Sequence, residues 1–286
     1  MIHGSIVALI TPWKNNSLDH QALVNLINWH SESGTSAIVV CGSTGEGALL
    51  SNYEREILIE TAVKHSKLPV IVGCGAPSTQ VVIEQVQQAE SLGAHGALVV
   101  APYYCKTTQD GLYQHFKSIH DASNIPVLLY NNPGRTVIEI SVETVLRLFD
   151  LERVVGIKDS TLDSSRAALM RNGAKKKVSL LSGDDPYAAG YLAQGGDGLI
   201  SITANVLPNK MADLINAWQS GNIERFQELN LKLMPLHYAL VAEPNPIPVK
   251  AAMEIIGQCS GEVRLPLVGA KASTVEVLKN KIDQLA

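Results

Sequence analysis

The chain has 286 residues, 46% hydrophobic and 17% charged, with a formal net charge of -4. That balance supplies a substantial core, argues against disorder, and offers no basic field for nucleic acid or an anionic membrane. No apolar stretch approaches the roughly 20 residues of a membrane-spanning helix, and the opening Met1-Ile2-His3-Gly4 lacks the charged and apolar regions of a signal peptide.

In chain order, strand-like runs at residues 5–10, 37–40, 70–72 and 96–100 alternate with helical patterns at 18–32, 52–67, 79–92 and 108–122. The runs are short and β-rich, whereas the longer segments carry apolar residues at three- and four-residue spacing. Ser51, with Glu54 three residues on, forms a capping-box start for the second helix. Further strand-like runs follow at 127–130, 154–157, 179–181 and 198–202, and Asp185-Pro186 reads as a cap before proline at a first helical position. From Ala204 helical patterns dominate to Ala286. Eight strands, each followed by a helix, predict an α/β fold, a (β/α)8 barrel over residues 1–203, with residues 204–286 as a C-terminal helical subdomain packed on it. An open doubly wound sheet is the alternative, but G-x-G-x-x-G after a strand is missing and eight units exceed its needs.

Cys41, Cys74, Cys105 and Cys259 form no C-x-x-C pair and no disulfide framework, which fits a reducing, cytoplasmic setting. The eight histidines show no metal-ligand spacing, so no metal and no cofactor are expected. Lys175-Lys176-Lys177 lies between apolar segments and reads as a solvated turn.

A barrel carries its active site at the C-terminal ends of its strands, and five polar clusters converge there. Lys158 ends the apolar run Val154-Val155-Gly156-Ile157, at the barrel mouth. Burial penalises an ammonium and favours the neutral amine, the preparation for Schiff-base chemistry; the plainer role is a strand-end lysine paired with a carboxylate. Gly42-Ser43-Thr44-Gly45-Glu46 offers two hydroxyls and several backbone N–H groups to a carboxylate, or is simply a tight turn. Tyr130 could relay protons or fill a barrel layer, and Tyr104 is open in the same way. Arg135, on the loop Asn131-Asn132-Pro133-Gly134-Arg135-Thr136, is suited to clamping a carboxylate or is a surface cation. Asp184-Asp185 reads as a helix cap with a polar neighbour rather than an acid–base pair.

These motifs resemble those of the dihydrodipicolinate synthase family, within the N-acetylneuraminate lyase superfamily of pyruvate-dependent barrels. The resemblance spans the chain: Gly42-Ser43-Thr44-Gly45-Glu46, Pro102-Tyr103-Tyr104, Tyr130 through Thr136, Gly156-Ile157-Lys158-Asp159, Ser182-Gly183-Asp184-Asp185, Ser201 through Val206, and Glu243 through Lys250. It implies a class I lyase in which Lys158 forms an imine with pyruvate and Tyr130 shuttles protons. Ser43 and Tyr104 would complete the relay, Tyr104 reaching in from a neighbouring subunit of a tetramer built as a dimer of dimers. Thr44 and the backbone of Ile200 would hold pyruvate, and Arg135 the carboxylate of L-aspartate-4-semialdehyde. Another pyruvate-dependent aldolase, an N-acetylneuraminate lyase or a keto-sugar-acid aldolase, is the alternative. Ser43, where many synthases carry threonine, leans that way, while Arg135 and the Pro244–Lys250 segment weigh against it. Family members inhibited by lysine use histidine, asparagine and glutamate side chains in an effector pocket whose counterparts here are Asn52, Arg55, Pro77 and Val81, with Tyr103 and Ala48 retained. Weak or absent feedback inhibition is therefore expected, and half-inhibition by submillimolar lysine in a steady-state assay would overturn it.

Overall fold

A computed structural model describes residues 2–285; Met1 and Ala286, the outermost residues of the two segments expected from the sequence, lie outside them. Eight parallel strands close into a barrel: β1 (Gly4–Ala8), β2 (Ala37–Val40), β3 (Val70–Cys74), β4 (Gly96–Val100), β5 (Val127–Asn131), β6 (Val154–Asp159), β7 (Ser179–Ser182) and β8 (Gly198–Ser201). Each pairs with its sequence neighbours, and β8 closes on β1 with Gly4 opposite Gly198. All eight expected strands are present, two with the expected ends and six with ends shifted by one or two residues. Two of those shifts matter: β5 extends through Asn131 and β6 through Asp159, so Lys158 lies inside its strand.

The strands are continuous apolar runs because both faces are buried. Alternate residues point inward, so Ile6, Ala8, Val39, Ile71, Leu98, Leu128, Tyr130, Leu181 and Ile200 fill the barrel. The intervening positions, such as Val7, Ile38, Val72, Leu129 and Ile157, pack beneath the outer helices. The helix Asn52–His65 starts with the expected capping box: Ser51 accepts from the Glu54 backbone N–H and Glu54 accepts from that of Ser51.

Three local expectations are corrected. The first helix begins at His20, not at residue 18, because Trp13–Lys14 and Ser17–Leu18 pair as a short antiparallel hairpin and Asp19 caps the helix by accepting from Ala22 N. Asn15 and Asn16, at φ 52° and 59°, make the turn, and asparagine tolerates that left-handed conformation. Asp185 is not a cap: it accepts from Ser201 Oγ and from Ile202 N (2.9 Å), tying the end of β8 to the loop after β7. The lysine run is anchored as well as solvated, since Lys175 pairs with Asp150 at 2.9 Å and Lys176 Nζ donates to the carbonyls of Leu151 and Glu152.

Beyond β8, Pro208–Gln219 packs on β1, and Ile223–Ala239, Ile247–Ile255 and Ala272–Asp283 follow. Fully buried Lys250, in Ile247–Ile255, fastens this region to the barrel. Its Nζ donates to Thr11 O at 2.6 Å and stands 3.6 Å from the buried Glu46 carboxylate, which also accepts from Trp13 Nε1 and Arg264 N, each at 2.9 Å. Breaking one partner of such a pair strands the other, typically at about 3–5 kcal/mol.

Candidate active site

The strand register sets Lys158 directly beside Tyr130 on β5, and Asp159 beside Asn131. Strict alternation from Val154, which faces outward, would turn Lys158 outward too. A register shift prevents this: Val127 pairs with Val154 but Leu128 pairs with Gly156, so one extra residue, Val155, restores an inward phase at Lys158. Gly156 permits the close approach, since a Cβ there would lie 2.2 Å from Ser179 O. Gly183 clears room for the lysine itself, because a Cβ would sit 2.9 Å from Lys158 Cε. Asp159, the next residue, is buried and anchored by Arg166 Nε at 2.9 Å, which holds the strand end in place.

Lys158 is 5% exposed and Tyr130 7%, with Lys158 Nζ 4.4 Å from the Tyr130 ring centroid. Asn132 Nδ2 donates to Tyr130 Oη at 2.8 Å. Burial opposes ionisation of this phenol, but the Lys158 ammonium, the Asn132 hydrogen bond and the Arg135 guanidinium together outweigh it, so Tyr130 titrates below the ordinary tyrosine range. Asp184 responds in the opposite sense. Burial pushes its carboxyl above the ordinary range, against the pull of Lys158.

A cavity of about 270 Å³ opens over this pair. Lys158, Tyr130, Ser43, Thr44 and Arg135 all line it. Thr44 Oγ1 accepts from Asn245 Nδ2 at 3.0 Å, and Arg135 Nη2 donates to the carbonyl of the same Asn245 at 3.1 Å. One residue of the C-terminal region thus aligns the hydroxyl loop with the guanidinium, and most of the Arg135 fork remains free. Two candidates stand elsewhere. Ile200 is fully buried in the barrel interior, Tyr104 is 96% exposed at φ 67°, and neither lines the cavity. Asn132, Asp184 and Asn245 carry no site role in the sequence reading, and Arg55 enters it only as the counterpart of an effector-pocket position. Asn132, Asp184 and Asn245 flank or fall within the motifs, so their positions were visible, but their contacts depend on loops brought together across the barrel mouth.

Class I aldolase chemistry requires a buried amine at the open end of a scaffold, a proton carrier beside it and a polar chamber for the carbonyl substrate. The barrel meets each requirement, and the protein is a lyase of that class. Comparison with known proteins narrows the class: the model of the dihydrodipicolinate synthetase family matches residues 1–285, and the chain belongs to that family. It is 45% identical over 275 residues to a 4-hydroxy-tetrahydrodipicolinate synthase of Parvibaculum lavamentivorans, covering 96% of this chain and 94% of the relative. Over 290 residues it is 44% identical to the synthase of Thermotoga neapolitana, covering 99% of each. Among solved structures, the dihydrodipicolinate synthase of Aquifex aeolicus superposes with a TM-score of 0.97 at 41% identity, covering 99% of this chain and 98% of that one. A chloride-inhibited dihydrodipicolinate synthase of Acinetobacter baumannii, in complex with pyruvate, superposes at 0.96 with 40% identity and 99% of both chains covered.

Proposed function

We propose that this protein condenses pyruvate with L-aspartate-4-semialdehyde to give 4-hydroxy-tetrahydrodipicolinate, on the route to diaminopimelate and lysine. The observation that carries the reading is the pairing of Lys158 with Tyr130 at a cavity whose wall, among the described residues, holds three cations, Lys158, Arg135 and Arg55, and no carboxylate. Such a wall suits two substrates that each bring a carboxylate. The relatives named above carry this activity in their names, and the Acinetobacter neighbour binds pyruvate.

In this reading Lys158 Nζ adds to the ketone carbon of pyruvate, and loss of one water leaves a protonated imine. The imine draws electrons from the methyl group, which releases a proton and becomes the enamine carbon. That carbon attacks the aldehyde, and a proton goes to the oxygen that becomes the 4-hydroxyl. The amine of the second substrate then displaces Lys158 from the imine carbon, closing the ring and freeing the lysine. Tyr130 carries the protons, with Ser43 and a neighbouring copy's Tyr104 linking it to solvent. Thr44 and the Ile200 backbone hold pyruvate, while Arg135 takes the semialdehyde carboxylate.

The same reading makes the protein a homotetramer, a dimer of dimers, and the outward-facing Tyr104 fits a residue donated to a neighbouring copy. No helix among the described residues is long and apolar enough to cross a membrane. Four free thiols fit a reducing cytoplasm.

The deciding experiment is condensation coupled to a reductase in wild type and Arg135→Ala. Arg135→Ala is expected to lose roughly 100-fold in kcat/KM for the semialdehyde, the scale of a lost charge-assisted contact, with imine formation from pyruvate retained. Unchanged semialdehyde kinetics, together with turnover of a sugar acid, would instead point to an N-acetylneuraminate lyase or keto-sugar-acid aldolase, the reading that Ser43 favours.

A further inference from the structure

Asn132 stands where an asparagine ordinarily caps a helix, and its side chain is used otherwise. It precedes the short helix Pro133–Thr136 but makes no side-chain capping bond. The Arg135 N–H that such a cap would take is already bonded to the Asn132 carbonyl at 3.0 Å, and the same carbonyl accepts from Thr136 Oγ1 at 2.9 Å. The backbone on either side is held as well. Asn131 accepts from Ser160 N at 2.9 Å and, through Oδ1, from Ile140 N at 3.0 Å. Pro133 keeps the residue before it out of the helical conformation. The Asn132 amide is thereby left to turn inward, where Nδ2 donates to Tyr130 Oη at 2.8 Å.

That bond acts on the phenol in two ways. A phenol oxygen carries one proton and accepts through its lone pairs. An amide N–H at 2.8 Å occupies a lone pair and repels the O–H, so the hydroxyl proton turns away from the loop. Tyr130 lines the cavity, and the side left to that proton is the chamber over Lys158. The second effect is on acidity. Burial, with Asp184 after β7, pushes the phenol up; Lys158 on β6 and Asn132 and Arg135 on the loop after β5 outweigh them. Lys158 must give up its charge to attack a ketone, and its pull on the phenol goes with that charge. The neutral amide keeps its bond throughout.

We propose that Asn132 is a positioning residue for the proton carrier: its amide aims the Tyr130 hydroxyl into the cavity, toward the substrate oxygen that takes the proton. This role rests on the reading of Tyr130 as that carrier and extends it to the group that orients it.

Asn132→Leu keeps the side-chain size and removes the donor. Its kcat is expected to fall about fivefold to tenfold, the worth of one hydrogen bond, with KM for pyruvate and for the semialdehyde within about twofold of wild type. In a Tyr130→Phe background the same substitution should change kcat by less than about twofold, because the hydroxyl it orients is gone. Tyr130 is read directly by carbon NMR of protein labelled at the tyrosine ζ carbon, its resonance assigned by its absence from Tyr130→Phe. That resonance should titrate at higher pH in Asn132→Leu than in wild type. It should titrate higher still in Asn132→Asp, whose carboxylate adds a negative charge and no donor.

An unchanged Tyr130 titration in Asn132→Leu overturns the proposal. A shift to lower pH does so too, since the amide would then be accepting from the phenol. An equal loss of kcat in both backgrounds assigns Asn132 to the fold alone and also overturns it. Should Asn132→Leu fail to fold, Asn132→Ala decides by the same criteria. If Tyr130→Phe keeps the wild-type rate, the proton-carrier reading itself fails and the role falls with it. Activity lost in Tyr130→Phe but kept in Asn132→Leu overturns the role alone.

Discussion

Lys158→Ala is expected to reduce condensation by on the order of 10⁴-fold or more, the scale seen when the nucleophile of a covalent mechanism is removed. Borohydride reduction in the presence of pyruvate should add the substrate's mass to Lys158 in wild type, and intact-mass analysis of the variant should find no adduct. Folding failure can be separated from chemical failure. Lys158 is 5% exposed and, among the described residues, has no carboxylate within ion-pair distance, so its removal takes away a buried charge and trims a wall already open to the cavity. The thermal midpoint should hold or rise while activity vanishes. A variant that keeps more than about a hundredth of the wild-type rate would exclude Lys158 as the nucleophile, because residual binding alone cannot supply that acceleration.

Tyr130→Phe is expected to lose roughly 10²–10³-fold in kcat, the usual worth of a positioned proton carrier. The ring packs in the barrel interior, so phenylalanine keeps that packing and forfeits only the hydroxyl with its Asn132 hydrogen bond, about 1 kcal/mol of stability. The pH profile gives the finer test. Lys158, Asn132 and Arg135 hold the phenol below the ordinary tyrosine range despite its burial. Steps that need Tyr130 as a proton donor should therefore fail as pH rises through that lowered value, giving wild type an early basic limb. Tyr130→Phe should lose that limb, and Arg135→Ala should move it to higher pH because one of the lowering charges is gone. A wild-type basic limb that persists unchanged in Tyr130→Phe would assign the titration to another group.

Much of this site was legible before the fold. Short runs rich in β-branched residues and three- and four-residue helical spacing located eight βα units, because both are one-dimensional signatures of burial on two faces and on one. Barrel geometry then placed the motifs around Ser43, Tyr104, Tyr130, Lys158 and Asp184 at one rim. Other features escaped for physical reasons. The hairpin before His20 rests on two asparagines in left-handed conformations, a weak signal beside the helical pattern that overlaps it. Asp185 followed by proline looked like a cap, yet its carboxylate is used by Ser201 and Ile202 across the barrel. Asn245 joins Thr44 to Arg135 over separations of 201 and 110 residues, which no local pattern encodes.

The sequence by itself determined the barrel, the strand that carries Lys158, and the polar motifs at the strand ends. Tertiary structure decided which way those residues face. Period-two alternation from Val154 points Lys158 toward the helices; the extra residue at Val155, tolerated because Gly156 can press against Ser179, turns it inward beside Tyr130. Packing likewise left Arg55 facing the cavity without a carboxylate, a fact about its neighbours in space rather than along the chain. Register and charge pairing are properties of contacts between distant segments, so they appear only once the barrel has closed.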